Sequence, residues 1–302
     1  MSPRSLVVVL TVLAMSAPAS AAAQDPDPPL INWPSLLPGL ETTYQPSSAD
    51  DCRAGRPACI SALIREMAKR LDPLAESCDH DAIFGLSYLR TTQAFQQALS
   101  EPGFFNDPRY ITHEGAVFAS LYMDAYDTWH SNNRAATPPA WAIAFDAAQN
   151  RKVSALGNLL LGMNAHIQRD RPFVLAAIGM AEPDGTSRKG DNDDVNVFLN
   201  RVSVPLTKEI ASRFDPTFDD TDTPTELDEM LSFEPVMMWR EIAWRNAERL
   251  RAARTNTELA AVSADIERYA ASQAVLIRGL ASYLAPLQTS APRDAFCALH
   301  HG

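Results

Sequence analysis

The chain has 302 residues, with 26 Lys and Arg against 37 Asp and Glu, a formal net charge of -11 and 46% hydrophobic residues. That acidity repels nucleic acid, and no run of apolar residues reaches the ~20 needed to cross a bilayer. The length suffices for one sizeable core, and no glycine- or serine-rich linker divides it.

Taken in order, Arg4, the apolar stretch from Leu6 to Met15 and the small residues Ala19 to Ala23 form the pattern of a secretory signal peptide over residues 1–23. The expected location is therefore the periplasm or the medium. Residues 24–50 carry Pro26, Pro28, Pro29, Pro34 and Pro38, which predicts an extended arm rather than a helix. Residues 51–302 read as one helical domain. Its first helix is announced by Ile60, Leu63, Ile64, Met67 and Leu71 at three- and four-residue steps. Further helices are expected at about 79–100, 107–131, 139–151, 153–169, 173–181, 191–213, 225–252 and 256–286, with strand-like alternation nearly absent. The fold class is all-α, a bundle of about eight helices. The acidic stretch from Asp215 to Pro224 lacks the glycine and the terminal glutamate of a calcium-binding EF-hand loop, so it reads as a solvated loop.

Four cysteines, Cys52, Cys59, Cys78 and Cys297, survive removal of the signal. In an oxidising compartment an even count predicts two disulfides, the alternative being free buried thiols. Cys52 and Cys59 flank a turn-like stretch, which pairs them locally and leaves Cys78 for Cys297.

The segment from Val153 to Asp170 is apolar nearly all round, the mark of a buried helix, yet it holds Asn158, Asn164, His166 and Asp170. Buried polar groups need partners, since each left unsatisfied costs roughly 1 to 3 kcal/mol. On a helical wheel His166 and Asp170 share a face. The helix before His130 offers candidates: His113, Asp124 and Asp127 border its apolar stripe. His113 lies ~16 Å of helix before Asp124, too far to share an ion, whereas Asp127 and His130 are one turn apart. Asp127, His130, His166 and Asp170 thus form a candidate centre for a divalent metal, zinc, manganese or iron, with Asn164 and Asp193 as catalytic candidates beside it. Such a centre makes a metal-bound hydroxide. The structural alternative is that His166 satisfies a polar core and His130 ends its helix. The cluster from Lys189 to Asn196 either caps a helix or offers Asp193, Asp194 and Asn196 to a ligand. Arg240 and Trp244, one turn apart, read as core with snorkelling arginines or as part of a ligand cage.

The stretches from Pro138 to Asp146 and from Gly162 to Pro172, with Asn164-Ala-His166-Ile-x-x-Asp170-x-Pro172, resemble a bacterial family of unknown function over about residues 35–215. That resemblance implies a helical fold and points to Asn164, His166 and Asp170. More weakly, His166-Ile-Gln-Arg-Asp170 is similar to the His-x-x-x-Asp helices of the zinc-dependent phospholipase C and P1 nuclease fold. That family uses an amino-terminal Trp ligand and about five histidines, and only His80, His113, His130 and His166 lie inside this fold. No Ser-x-x-Lys, Gly-x-Ser-x-Gly, phosphate loop or dinucleotide fingerprint occurs. The expectation is an exported helical protein acting as a metal-dependent hydrolase on a phosphoester or related ester, with a small-molecule or lipid-like substrate. The alternative is a non-catalytic binding protein with a structural polar core. A di-metal oxidase is disfavoured by the lack of Glu-x-x-His.

Overall fold

The computed structural model describes residues 44–219 and 227–300, without the side chains of 219 and 227–233. The expected signal peptide, most of the expected arm and the end of the acidic stretch lie outside the described residues. Helix follows helix: α1 (Pro57–Glu76), α2 (Ala82–Ser100), α3 (Pro108–Trp129), α4 (Pro139–Gln149), α5 (Ala155–Met163), a π-helical segment (Asn164–Asp170), α6 (Arg171–Ile178), α7 (Lys189–Arg213), α8 (Leu227–Ala252), α9 (Asn256–Ala281) and α10 (Ala291–His300). Among the described residues there is no strand, only two isolated bridges. The fold is all-α, as the periodicity indicated.

Local chemistry sets the boundaries. Prolines open α1, α3 and α4, where a missing N–H loses nothing. Asp107 caps α3 by accepting from Tyr110 N, and Ser154 caps α5 by accepting from Gly157 N. Thr255 accepts from Glu258 N while Glu258 takes the N–H of Arg254, a reciprocal cap on α9. Two expectations need correction. The helix expected over 153–169 is not uniform, for its second half widens into a π-helix; and α10, amphipathic and burying Cys297, lies beyond the last expected helix.

Both disulfides form as paired from the sequence, Cys52 with Cys59 and Cys78 with Cys297. The second ties α10 to the start of α2. Around it Arg293 donates to Asn158 Oδ1 (2.7 Å), and His80 Nε2 meets Asp294 Oδ1 (2.8 Å). Tyr44, at the end of the arm, packs edge-on against Tyr110.

The π segment is the hub of the bundle: it touches α3, α4, α5, α6, α8 and α9. Its neighbours are aromatic, with Phe84, Tyr122, Trp141 and Phe145 in one buried cluster. No helix of the described residues is long and apolar enough to cross a membrane.

Candidate functional site

Pro172, second residue of α6, has no N–H for the carbonyl of Gln168 and its ring crowds that carbonyl. The turn immediately before it is the widened one. Single π turns inside helices recur at functional sites. Here the wide turn carries His166 and Asp170, which the sequence placed on one face, and it brings them together: His166 Nδ1 lies 3.0 Å from Asp170 Oδ2. That same oxygen accepts from Trp141 Nε1 at 2.9 Å, and Oδ1 accepts from Arg169 at 2.9 Å. Asp170 has no exposed surface and His166 is 3% exposed.

An acceptor-only carboxylate fixes the tautomer. Nδ1 carries the proton and donates it to Asp170, leaving the lone pair on Nε2. That nitrogen is buried and has no hydrogen-bond partner. Around it the imidazole is stacked on Phe118 (3.5 Å between centroids, 8° between planes) and met edge-on by Tyr88 at 4.6 Å. Burial pushes the imidazole's pKa down, against the upward pull of the Asp170 bond, so the neutral ring is favoured.

His166 lines a cavity of about 680 Å³, well within the ~300–1,000 Å³ of small-molecule sites. Its described wall is mostly apolar, including Phe84, Phe95, Phe118, Leu159, Met163, Val195, Phe198 and Val236. Besides His166 and a few serine and threonine hydroxyls, the described wall carries four charged side chains, all buried: Glu114 on α3, Arg171 on α6, Arg240 on α8 and Asp215 just after α7. Arg171 pairs with Glu114 at 2.7 Å and donates to Asn192 Oδ1 at 2.7 Å.

The other expected site residues lie elsewhere. Asp127 is exposed and held by Arg70 of α1 at 2.6 and 3.0 Å. His130 ends α3, with Nε2 3.7 Å from Asp81. His80 and His113 are engaged by Asp294 and the Cys52 carbonyl. The four-residue metal centre is therefore not assembled: only His166 and Asp170 meet, and among the described residues no group of three His, Cys, Asp or Glu is gathered to hold an ion. Asn164 donates to the Ala270 carbonyl (2.9 Å) and accepts from Gln168 (2.8 Å), a satisfied core amide away from the cavity wall. Asp193 is bonded to Lys189 (2.6 and 2.8 Å) on the surface. Arg240 does not snorkel; it is 4% exposed and donates to Asn196 Oδ1 and the Asn192 carbonyl. Tyr88, Phe118 and Glu114 have no separate signal in the sequence, because their places come from packing between helices. Trp141 did leave a signal, lying in the Pro138 to Asp146 stretch that carried the family resemblance.

A sequence model of DUF5995, described as a family of unknown function, matches residues 60–279. No curated protein and no solved structure matches the chain at a significant level.

Proposed function

The chain belongs to the DUF5995 family, and from its own geometry we propose that it is an exported hydrolase that takes a mainly apolar small-molecule ester into the central cavity and attacks it with water activated by His166. The observation that carries this reading is the buried, unpartnered Nε2 of His166, a residue that lines the cavity, with its ring held at Nδ1 by Asp170, which Trp141 bonds in turn. A general base needs a neutral acceptor within reach of substrate and a second group that orients it and stabilises the imidazolium. In the step proposed, Nε2 takes a proton from water as the water oxygen bonds to the ester's electrophilic centre. The bond to the leaving alkoxide then breaks, and that oxygen takes the proton back from Nε2, giving an acid and an alcohol. Asp170 keeps Nδ1 protonated throughout. His166 and Asp170 are thus base and orienting carboxylate here, and not metal ligands, since Asp127 and His130 are bound elsewhere.

Two disulfides and the leader-like first residues support an oxidising compartment. The second reading is a non-catalytic carrier, favoured by the aromatic packing of Phe118 and Tyr88 over the imidazole, which leaves little room for water.

Turnover of medium-chain 4-nitrophenyl esters tests the choice. His166→Gln should reduce kcat at least 100-fold, and wild-type activity should be flat at neutral pH and fall only below pH 6.5, because the active neutral imidazole persists below its ordinary pKa. Dialysis against a chelator should leave the rate unchanged. Equal rates for wild type and variant would end the hydrolase proposal in favour of the carrier, and loss on chelation with recovery on adding zinc would restore the metal-dependent form.

A further inference from the structure

Glu114, Arg171 and Arg240 close one part of the cavity wall with two guanidinium groups and one carboxylate. Arg171 spends its ion pair on Glu114. Its Nε is nonetheless buried without a partner. Arg240 is buried with no carboxylate bonded to it: its hydrogen bonds go to the neutral oxygens Asn196 Oδ1 (2.7 Å) and Asn192 O (2.5 Å), and Nη1 has none among the described residues. Arginine stays charged in proteins, and a buried charge without a counter-ion is expensive. Burial first, then the neighbouring Arg171, disfavour this cation. Glu114 and Asp193 favour it from a distance, without a bond to it, so this cation keeps an unfilled donor on the wall of a mainly apolar cavity, where a ligand's anion can meet it.

We propose that the cavity's ligand is an amphipathic monoanion, a carboxylate on an apolar body, with the carboxylate seated between Arg171 and Arg240 and the apolar portion among Phe84, Phe95, Phe198 and Val236. The charge decides the class. At this part of the wall two guanidinium groups less Glu114 leave one positive charge, which a carboxylate neutralises and a phosphate dianion exceeds; the wall's other carboxylate, Asp215, is bonded not to either arginine but to the Thr217 N–H and hydroxyl. The position fits the reaction as well: the Phe118 ring that stacks on His166 also carries the Arg171 guanidinium, 5.4 Å from its centroid. The charged end therefore lies next to the imidazole, not at the far side of the cavity. The inference rests on the cavity being the ligand site, as the hydrolase reading does, but not on turnover.

Calorimetric titration of the delipidated protein separates the two. Dodecanoate should bind at least tenfold tighter than dodecanol and tighter than dodecyl phosphate, and Arg240→Met should abolish that preference while leaving dodecanol binding unchanged. The same variant should melt at or above the wild-type temperature, because it removes a buried unpaired charge. Equal affinity for dodecanoate and dodecanol would overturn the inference and leave the cavity intact as a binding site; a preference for dodecyl phosphate would overturn the carboxylate assignment; failure of all three ligands would remove the cavity reading itself. If Arg240→Met melted far below wild type, Arg240→Lys supplies the decision, since it should keep part of the preference while losing the two-point geometry.

Discussion

At the scale of single residues, the decisive arrangement is the chain of bonds from Trp141 through Asp170 to His166. Trp141 is fully buried and its only polar atom goes to the oxygen that orients the imidazole. Trp141→Phe should keep the ring packing against Phe145 but free Asp170 Oδ2 of one donor. We expect kcat on ester substrates to drop about tenfold with KM nearly unchanged, at a stability cost of about 1–3 kcal/mol; a change in KM alone would mean that Trp141 shapes the cavity and does not orient the base. His166 and Asp170 could be found from the sequence because four-residue spacing on one helix fixes their meeting. Asp127 and His130, three residues apart, are also one turn from each other on another helix, yet nothing in a helical wheel says which way that helix faces. The outward turn of α3 at this point gave Asp127 to Arg70 and His130 to Asp81. Arg240 was open to two readings, snorkelling or a ligand cage, and Glu114 went unnoticed, for the converse reason: a charged residue amid apolar neighbours reads as snorkelling until the neighbouring helices are known.

At the scale of elements, α5, the π segment and α6 form one rod with a local defect at its functional point. Pro172, which leaves the Gln168 carbonyl without an N–H, interrupts this rod, though spacing alone could not say that the interruption would be a widened turn. The close packing upstream is equally particular. A Cβ on Gly162 would come 2.3 Å from Phe84 Cδ2, and Phe84 lines the cavity and faces His166 at 6.0 Å. Alanine gains about 1 kcal/mol in helix propensity, but overpacking costs about 1–3 kcal/mol. Gly162→Ala should therefore lower stability by about 1–2 kcal/mol and weaken dodecanol and dodecanoate binding together as Phe84 is pushed towards the cavity. Thermal melting and titration check both; unchanged affinity with a lower melting temperature would show that Phe84 gives way elsewhere.

For the molecule as a whole, the long disulfide and the pH response of α2 set stability. Cys78 and Cys297 are 219 residues apart, and closing such a loop is worth about 5 kcal/mol if chain entropy alone acts. The double variant Cys78→Ala, Cys297→Ala should lose about 3–5 kcal/mol in denaturant titrations; a loss under about 1 kcal/mol would mean that the reduced chain holds α10 in place by the Arg293 and Asp294 contacts alone. Two adjacent buried groups respond to acid in opposite ways. Burial lowers the His80 pKa from 6.5 to about 4, so below pH 6.5 the unfolded chain takes the proton first and stability falls as acid is added. Burial raises the Asp81 pKa from 3.8 to about 6, so the folded chain takes that proton first and stability rises over pH 6 to 4. Each contribution is about 3 kcal/mol in full, and they largely offset. Asp81→Asn removes only the second, so its melting temperature should fall more steeply than wild type between pH 6 and 4; parallel curves would contradict the opposed pair. The helical class and both cysteine pairings were legible in the chain, being functions of period and parity. The cavity was not, because it is the space that seven α-helices and the π segment of the described residues leave between them.

Trp141, whose indole N–H ends on Asp170 while its ring lies flat against Phe145, has a further property. Indole emission depends on the charge and hydrogen bonding at its nitrogen, so whatever happens to the neighbouring imidazole, proton uptake or the arrival of a guest, alters the light this side chain gives off. The molecule carries its own optical gauge, wired to the one base that the proposal turns on.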